Sequence, residues 1–164
     1  MRPALPTLIV ALIAAAPAAW AEEPPAAQAV FDQFCAKAQT TADMNDCTGK
    51  MLASADRDLN ATYQAVLKKW ANVPGVAAAV RRAQRGWIAY RDTDLAARFA
   101  DAVDPAMRGT AYSSAHAMYQ ADLTRERTTR LCQFLRGASV GESNDAPCAD
   151  LVRHPSIVPA PSGH

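Results

Sequence analysis

The chain has 164 residues and a formal net charge of +1 at pH 7, which suits one domain and gives no strong charge bias towards any partner. Its four cysteines and three histidines form no C-x-x-C, C-x-x-C-H or H-E-x-x-H motif, so thiol redox chemistry, haem attachment and catalytic zinc lack support. Asp56 and Asp58 are two residues apart and point to different sides of a helix, so they cannot act as a catalytic carboxylate pair. These observations predict a binding protein without enzyme activity and without a cofactor.

The first 21 residues predict a secretory signal peptide. They carry one charge (Arg2), an apolar run over Leu8–Ala16, and small residues at Ala19 and Ala21 that fit cleavage after Ala21. The apolar run is shorter than the roughly 20 residues of a membrane-spanning helix. We therefore expect a periplasmic or secreted mature chain with no transmembrane segment and no nucleic-acid partner. Residues 22–29 are predicted to form a Pro/Ala-rich linker.

Residues 43–70 predict a long helix that organises the fold. Apolar residues recur there every three or four positions, at Met44, Cys47, Met51, Ala55, Leu59, Tyr63, Val66 and Trp70. The turn at Asn72–Gly75 should bring the next helix, from about Val76, back antiparallel to it. A short helix near Phe31 precedes this hairpin, and a last helix is predicted from about Ser114 to Arg136. The expected fold is all-α, an antiparallel helical hairpin or bundle of about four helices stapled by disulfides.

Four cysteines in an exported chain predict two disulfides, for which three connectivities exist. Proximity in the sequence favours Cys35–Cys47 and Cys132–Cys148. The second bridge would tie residues 138–164, predicted to be a loop followed by a disordered tail, to the last helix. The alternative is a metal site formed by Cys132, Cys148 and His154, although two secreted cysteines are more often a disulfide.

Polar residues fall near the predicted helix seams and need partners there. We expect a structural polar layer in which Arg91 donates to Asp56 or Asn60; the alternative is a polar binding groove. The full set of this layer is Asp56, Asn60, Tyr63, Gln84, Trp87, Arg91 and Arg127. Residues 22–60 carry a net charge of −4 and residues 61–100 a net charge of +5. These segments either neutralise each other by packing or leave a basic face for an anionic partner.

Three sequence motifs in this chain resemble those of the LprI-type lysozyme-inhibitor family. Residues 55–63 read A-D-x-x-L-N-x-x-Y, residues 83–92 read A-Q-R-x-W-I-x-Y-R-D, and residues 123–131 read L-T-x-x-R-x-x-x-L. Together with Cys35 and Cys47, they extend the resemblance over about residues 35–135. It implies a small exported helical domain, here residues 30–137. Two cysteines common in the family are replaced by Leu95 and Tyr119, so one family disulfide is absent.

The resemblance also implies a role as a periplasmic lysozyme inhibitor. An inhibitor would block the cleft whose two carboxylates carry out hydrolysis. The loop Asp101–Ser114 could supply a cation for this purpose, and Arg108 is its candidate partner-binding residue. The alternative is a cell-envelope adaptor or assembly protein that binds another exported protein through a helical face.

Overall fold

Four α-helices make up most of the computed structural model, which describes residues 26–73 and 75–136 together with positions 148 and 152. Helix α1 spans Ala26–Cys35, α2 spans Thr41–Lys69, α3 spans Val76–Arg98 and α4 spans Tyr112–Arg136. The described residues contain no strand, so the predicted all-α class is confirmed. The predicted signal peptide 1–21 and nearly all of the predicted tail 138–164 lie outside the described residues.

Helix α1 begins within the segment predicted to be a linker. Residues 26–29 of that segment are helical, in keeping with the high helix propensity of their alanines. Helix α2 begins with a capping box. The Thr40 hydroxyl accepts from the backbone N–H of Asp43 at 3.1 Å, and the Asp43 carboxylate accepts from the backbone N–H of Thr40 at 3.0 Å. These bonds lower the pKa of the Asp43 carboxyl, with the Thr40 side chain as the largest cause.

Helices α2 and α4 run side by side in the same direction. At their C-terminal ends, the Lys69 ammonium donates to the carbonyl of Leu135, and the Trp70 indole N–H donates to the carbonyl of Phe134 at 3.1 Å. Nearer their N-terminal ends, Met51 packs in one cluster with Ala121. The cation at the last residue of α2 and the indole N–H of the residue after it therefore satisfy two of the last carbonyls of α4, which have no hydrogen-bond donor within α4.

Helix α3 returns antiparallel to both neighbours, which gives an up-down-up order. Gln84 near its start contacts Arg127 near the end of α4, whereas Asp94 near its end contacts Tyr119 near the start of α4. Helix α3 is the least buried of the three long helices, since only Val80, Gln84 and Leu95 are buried along it. It contacts α4 and α2 to similar extents, both far smaller than the contact between α2 and α4, and its Val80 joins the core beside Val66 of α2.

The core consists of two clusters along α2. The cluster at the C-terminal half of α2 contains Leu59, Ala65, Val66, Val80, Leu131, Cys132 and Leu135. The cluster at the N-terminal half contains Cys35, Cys47, Met51, Ala55 and Ala121. All of the predicted apolar stripe of α2 is buried or half-buried, because the spacing of three and four residues keeps it on one side. No helix in the described residues combines the length and apolarity needed to cross a bilayer.

Each core cluster is closed by a disulfide. The Cys35–Cys47 bridge fixes α1 to the start of α2, and the Cys132–Cys148 bridge fixes the chain after α4 to its last turns. These are the two pairings that proximity in the sequence favours. The second bridge also occupies both thiols of the alternative metal site with His154, whose own position lies outside the described residues.

Candidate functional site

The connection between α3 and α4 runs from Phe99 to Ala111, and we call it the Phe99–Ala111 loop. It contains two 3-10 turns, Ala100–Ala102 and Pro105–Met107, and the Asp104 carboxylate caps the second by accepting from the backbone N–H of Ala106 at 2.9 Å. The loop was predicted to extend to Ser114, but it ends three residues earlier, at Ala111, because α4 begins at Tyr112.

Arg108 holds the loop in shape from inside it. Its Nε donates to the carbonyl of Ala102 at 2.9 Å, and its Nη2 donates to the carbonyl of Val103 at 3.3 Å. Its guanidinium carbon lies 4.7 Å from the ring centre of Tyr112. The side chain remains exposed, and Val103 beside it is 70% exposed. The loop therefore presents a positioned cation next to an apolar tip.

A cluster of aromatic side chains lies where the Phe99–Ala111 loop joins α3 and α4. The Phe99 ring lies 5.6 Å from Tyr112, 5.1 Å from His116 and 6.1 Å from Tyr119, measured between ring centres. The Tyr119 hydroxyl donates to the Asp94 carboxylate at 2.7 Å and joins α3 to α4. This hydrogen bond is the largest cause of the raised pKa of Tyr119. A cavity of about 420 Å³ opens beneath the loop, and Phe99, Arg108, Tyr112 and His116 are among its lining residues.

A second concavity, which we call the α3–α4 cleft, has a volume of about 300 Å³. It is lined by Trp87, Tyr90, Leu123, Glu126, Arg127 and Arg130. The Nε of Arg127 donates to the Oε1 of Gln84 at 2.9 Å. Its Nη2 is buried and has no hydrogen-bond partner among the described residues. Burial lowers the pKa of this guanidinium, and the charge of Arg130 lowers it further.

The predicted polar layer forms only in part. Gln84 and Arg127 meet, but Arg91 pairs with Asp92 and has no hydrogen bond to Asp56 or Asn60, so the expected Arg91 contact is wrong. Both Nε and Nη2 of Arg91 donate to the neighbouring Asp92 carboxylate, at 3.0 and 2.8 Å, and the guanidinium covers the Trp87 ring at 5.3 Å. The side-chain hydrogen bonds that join α3 to a neighbouring helix, Gln84–Arg127 and Asp94–Tyr119, are both to α4, and Arg91 pairs with its own neighbour on α3.

The remaining members of the predicted layer lie on α2 and, for Trp87, on α3, and they face different surroundings. Asn60 is exposed and Asp56 is half-buried, and neither side chain forms a hydrogen bond within the described part of the chain. Tyr63 and Trp87 are half-buried and pack against the core cluster at the C-terminal half of α2. The predicted layer is therefore not continuous. Tyr63 packs at the margin of the core, whereas Arg127, bonded to Gln84, lines the α3–α4 cleft.

Sequence reasoning missed three hydrogen bonds that join the helices. Lys69, which is 8% exposed, and Trp70 reach the end of α4, and Tyr119 bridges to Asp94. Lys69 offered a signal, because it follows the apolar Ala65 and Val66 at helical spacing and so points towards the buried side. The sequence gives no signal for the Tyr119–Asp94 hydrogen bond, because this bond depends on the register between α3 and α4.

Two kinds of site were sought: groups of side chains that could hold a metal ion and sequence motifs of known enzymes. No group of three His, Cys, Asp or Glu side chains is placed to hold a metal ion within residues 26–73 and 75–136. Residues 137–141 read G-A-S-V-G, which matches the G-x-S-x-G pattern of serine hydrolases. That motif requires a strand before it, and here the preceding residues end helix α4.

Comparison with known proteins gives a family and one relative. The family model described as "Lysozyme inhibitor LprI" matches residues 35–131. An uncharacterized protein of Rhizobium meliloti is 31% identical over 149 residues, an alignment that covers 84% of this chain and 99% of the relative. No solved structure is significantly similar to this chain. The matched residues contain the Phe99–Ala111 loop, the α3–α4 cleft and all three sequence motifs.

Proposed function

Because this chain belongs to the LprI lysozyme-inhibitor family, we propose that it is an exported binding protein that inhibits lysozyme through the Phe99–Ala111 loop. The family match over residues 35–131 is the observation that carries this proposal. Two disulfides support an extracytoplasmic location, because such bridges persist in oxidising compartments. The periplasm, reached by cleavage of a signal peptide after Ala21, is the compartment that we propose.

The loop has the features that a cleft-blocking inhibitor needs. Arg108 is exposed, and two of its donors are fixed on Ala102 and Val103, so little side-chain freedom is lost on binding. Lysozyme hydrolyses glycosidic bonds with two carboxyl groups in a cleft, and a guanidinium is the side chain best suited to pair with a carboxylate. The exposed Val103 would add apolar contact beside that pair.

The net charge of the chain predicts how fast it should associate with lysozyme. The chain without Arg2 and the rest of the leader has no net charge, so it is not attracted as a whole to a cationic lysozyme. We therefore expect an association rate in the ordinary range of about 10⁵–10⁶ M⁻¹s⁻¹ with a weak dependence on salt. Binding is proposed to rest on the fit of the loop in the cleft.

The direct test is inhibition of peptidoglycan lysis by c-, g- and i-type lysozymes with the oxidised mature protein. We expect loss of lysis at near-stoichiometric inhibitor with at least one type. Val103→Asp should weaken inhibition at least about tenfold, because it places an acid against an acidic cleft without disturbing a buried residue. Arg108→Ala should do the same, whereas Arg82→Ala, an exposed cation on α3, should not.

Two results would refute this proposal. One is unchanged lysis by all three lysozyme types with the inhibitor in molar excess. The other is inhibition that neither Val103→Asp nor Arg108→Ala weakens, which would exclude the loop even if inhibition itself occurred. Circular dichroism of each variant separates loss of inhibition from loss of fold.

The outer face of α3 favours a second candidate function, that of an envelope adaptor. Ile88 is 40% exposed there, whereas Tyr90, two residues further on, points to another side of α3 and lines the α3–α4 cleft. The exposed Ile88 side chain would supply apolar contact to a partner on this face. Crosslinking in cells should then capture one stoichiometric exported partner, and Ile88→Glu should abolish its capture. Capture of the same partner by Ile88→Glu, or an empty crosslinking experiment, would reject this role.

A further inference from the structure

Arg127 in the α3–α4 cleft carries a charge that the described residues do not satisfy. Its Nε is fixed by Gln84, its Nη2 is buried without a partner, and arginine keeps its charge at neutral pH. The ion pairs in the described residues are Lys50–Asp46, Arg91–Asp92 and Arg125–Asp122, and none of them includes Arg127 or Arg130. A partly buried guanidinium without a counter-ion is costly, and an anion in the cleft would supply a counter-ion to the part of the Arg127 guanidinium that lines the cleft.

The walls of the cleft restrict which anion fits. Trp87, Tyr90 and Leu123 supply aromatic and apolar surface beside the two guanidinium groups. Such a site suits a charged group attached to a ring or an apolar body, because flat surfaces bury well against aromatic side chains. Glu126 on the same rim repels negative charge. It disfavours a phosphate dianion more strongly than a single carboxylate.

We propose that the α3–α4 cleft binds a monocarboxylate whose ring or apolar part lies beside Trp87 and Tyr90, with Arg127 and Arg130 holding the carboxylate. A guanidinium presents parallel N–H donors that match the two oxygens of a carboxylate. The site goes beyond lysozyme inhibition, since the cleft and the cavity under the Phe99–Ala111 loop share no lining residue. Its ligand can therefore be sought without any lysozyme present.

Nitrogen-15 NMR of the mature protein provides a local readout. Trp70 and Trp87 are the two tryptophans after Ala21, and only Trp87 lines the cleft. Two matched pairs of probes separate the charge from the ring: benzoate with benzamide, and N-acetylmuramic acid with N-acetylglucosamine. We expect one or both acids to shift the indole signal of Trp87 and the Nε signal of Arg127 saturably at millimolar concentration. The neutral partner of each pair and the Trp70 signal should show no such shift.

The identity of the acid that binds reports the source of the ligand. Binding of the sugar acid would point to cell-wall glycan, and binding of benzoate alone would point to an aromatic acid. Either result supports the proposal. It is overturned if no acid binds, or if each acid and its neutral partner produce equal shifts.

Variants on α4 test the roles of the individual side chains. Arg127→Gln should weaken binding at least about tenfold, and Arg130→Gln should weaken it less. Arg125→Gln is the matched control, because it removes the same charge from the same helix while Arg125 pairs with Asp122 outside the cleft. Glu126→Gln should tighten binding a few-fold. Equal affinity of the parent and a folded Arg127→Gln would overturn the proposal. Should that variant fail to fold, equal affinity of the parent, Arg130→Gln and Glu126→Gln would overturn it.

Discussion

The Gln84–Arg127 hydrogen bond joins α3 to α4, and a double-mutant cycle tests its contribution to stability. The variants are Gln84→Leu and Arg127→Met, which keep most of the side-chain volume, together with their combination. A second cycle on Arg91→Met and Asp56→Ala serves as the matched comparison, since the structure gives that pair no contact. We expect energetic coupling in the first cycle and none in the second.

The expected size of the coupling follows from the geometry of the bond. A hydrogen bond with one charged partner contributes about 1.5–3 kcal/mol when it is buried. Gln84 is 9% exposed but Arg127 is only half-buried, and water around the guanidinium weakens the bond. We therefore expect a coupling of about 1–2 kcal/mol for the first pair. For the second pair, we expect less than about 0.3 kcal/mol.

Urea unfolding of the oxidised protein, followed by circular dichroism, measures both cycles. With a slope of about 2 kcal/mol per molar, the first coupling corresponds to about 0.5–1 M in the urea midpoint. Refutation would come from a first cycle that is additive within about 0.3 kcal/mol. Coupling between Arg91 and Asp56 would be equally damaging, because it would require α3 to lie along the acidic side of α2.

Three shorter predictions concern the ends of the long helices. Replacing both Cys35 and Cys47 by alanine should lower the free energy of unfolding by about 2–3 kcal/mol, because the bridge closes a separation of 12 residues; an unchanged urea midpoint would contradict this. The lowered pKa of Asp43 means that its contribution to stability is present above its ordinary pKa and is lost as the pH falls through the lowered value. The gap between the parent and Asp43→Asn should thus close on acidification, and a constant gap would argue against the capping box. The raised pKa of Tyr119 means that its bond to Asp94 stabilises the fold below the ordinary tyrosine pKa and fails as the pH rises through the raised value. Tyr119→Phe should be less stable than the parent at neutral pH, and the two should converge in alkali; equal stability at neutral pH would show that the bond contributes nothing.

The long helix α2 could be predicted because its apolar residues repeat over many turns. Met51, Ala55, Leu59 and Val66 are all buried where the spacing placed them. The position of α3 could not be predicted, because the short turn before it fixes its direction but not the side on which it packs. The expectation that Arg91 meets α2 failed for this reason.

The face of α4 that meets α2 could be predicted from its leucines, of which Leu131 and Leu135 are buried against α2, but its threonines could not. Thr124 is completely buried, and its hydroxyl donates to the carbonyl of Gln120 at 2.8 Å. Thr128 donates in the same way to the carbonyl of Thr124 at 2.9 Å. Such threonines satisfy themselves within the helix and behave as small apolar residues towards a neighbour. A search for large apolar side chains at helical spacing does not detect them.

The two candidate sites differ in how much the sequence revealed. Arg108 could be proposed from its place in a loop rich in turn residues, but its bonds to Ala102 and Val103 depend on the folded loop. Gln84 and Arg127 were both identified as polar residues near a seam, yet their pairing depends on the register of α3 against α4. The burial of the Arg127 Nη2 without a partner in the described part of the chain could come only from the structure.

Neither disulfide crosses the Phe99–Ala111 loop. Cys35–Cys47 lies wholly before it and Cys132–Cys148 wholly after it, so a single proteolytic cut in the loop would leave no covalent link between the two pieces. The fragments would stay together only through non-covalent contacts. These are the packing of α4 on α2 and α3 and the hydrogen bonds from Lys69 and Trp70 to the last carbonyls of α4. One proteolytic cleavage in the loop would therefore allow the protein to dissociate into two fragments. Two separately produced fragments that meet at the loop should be able to reassemble.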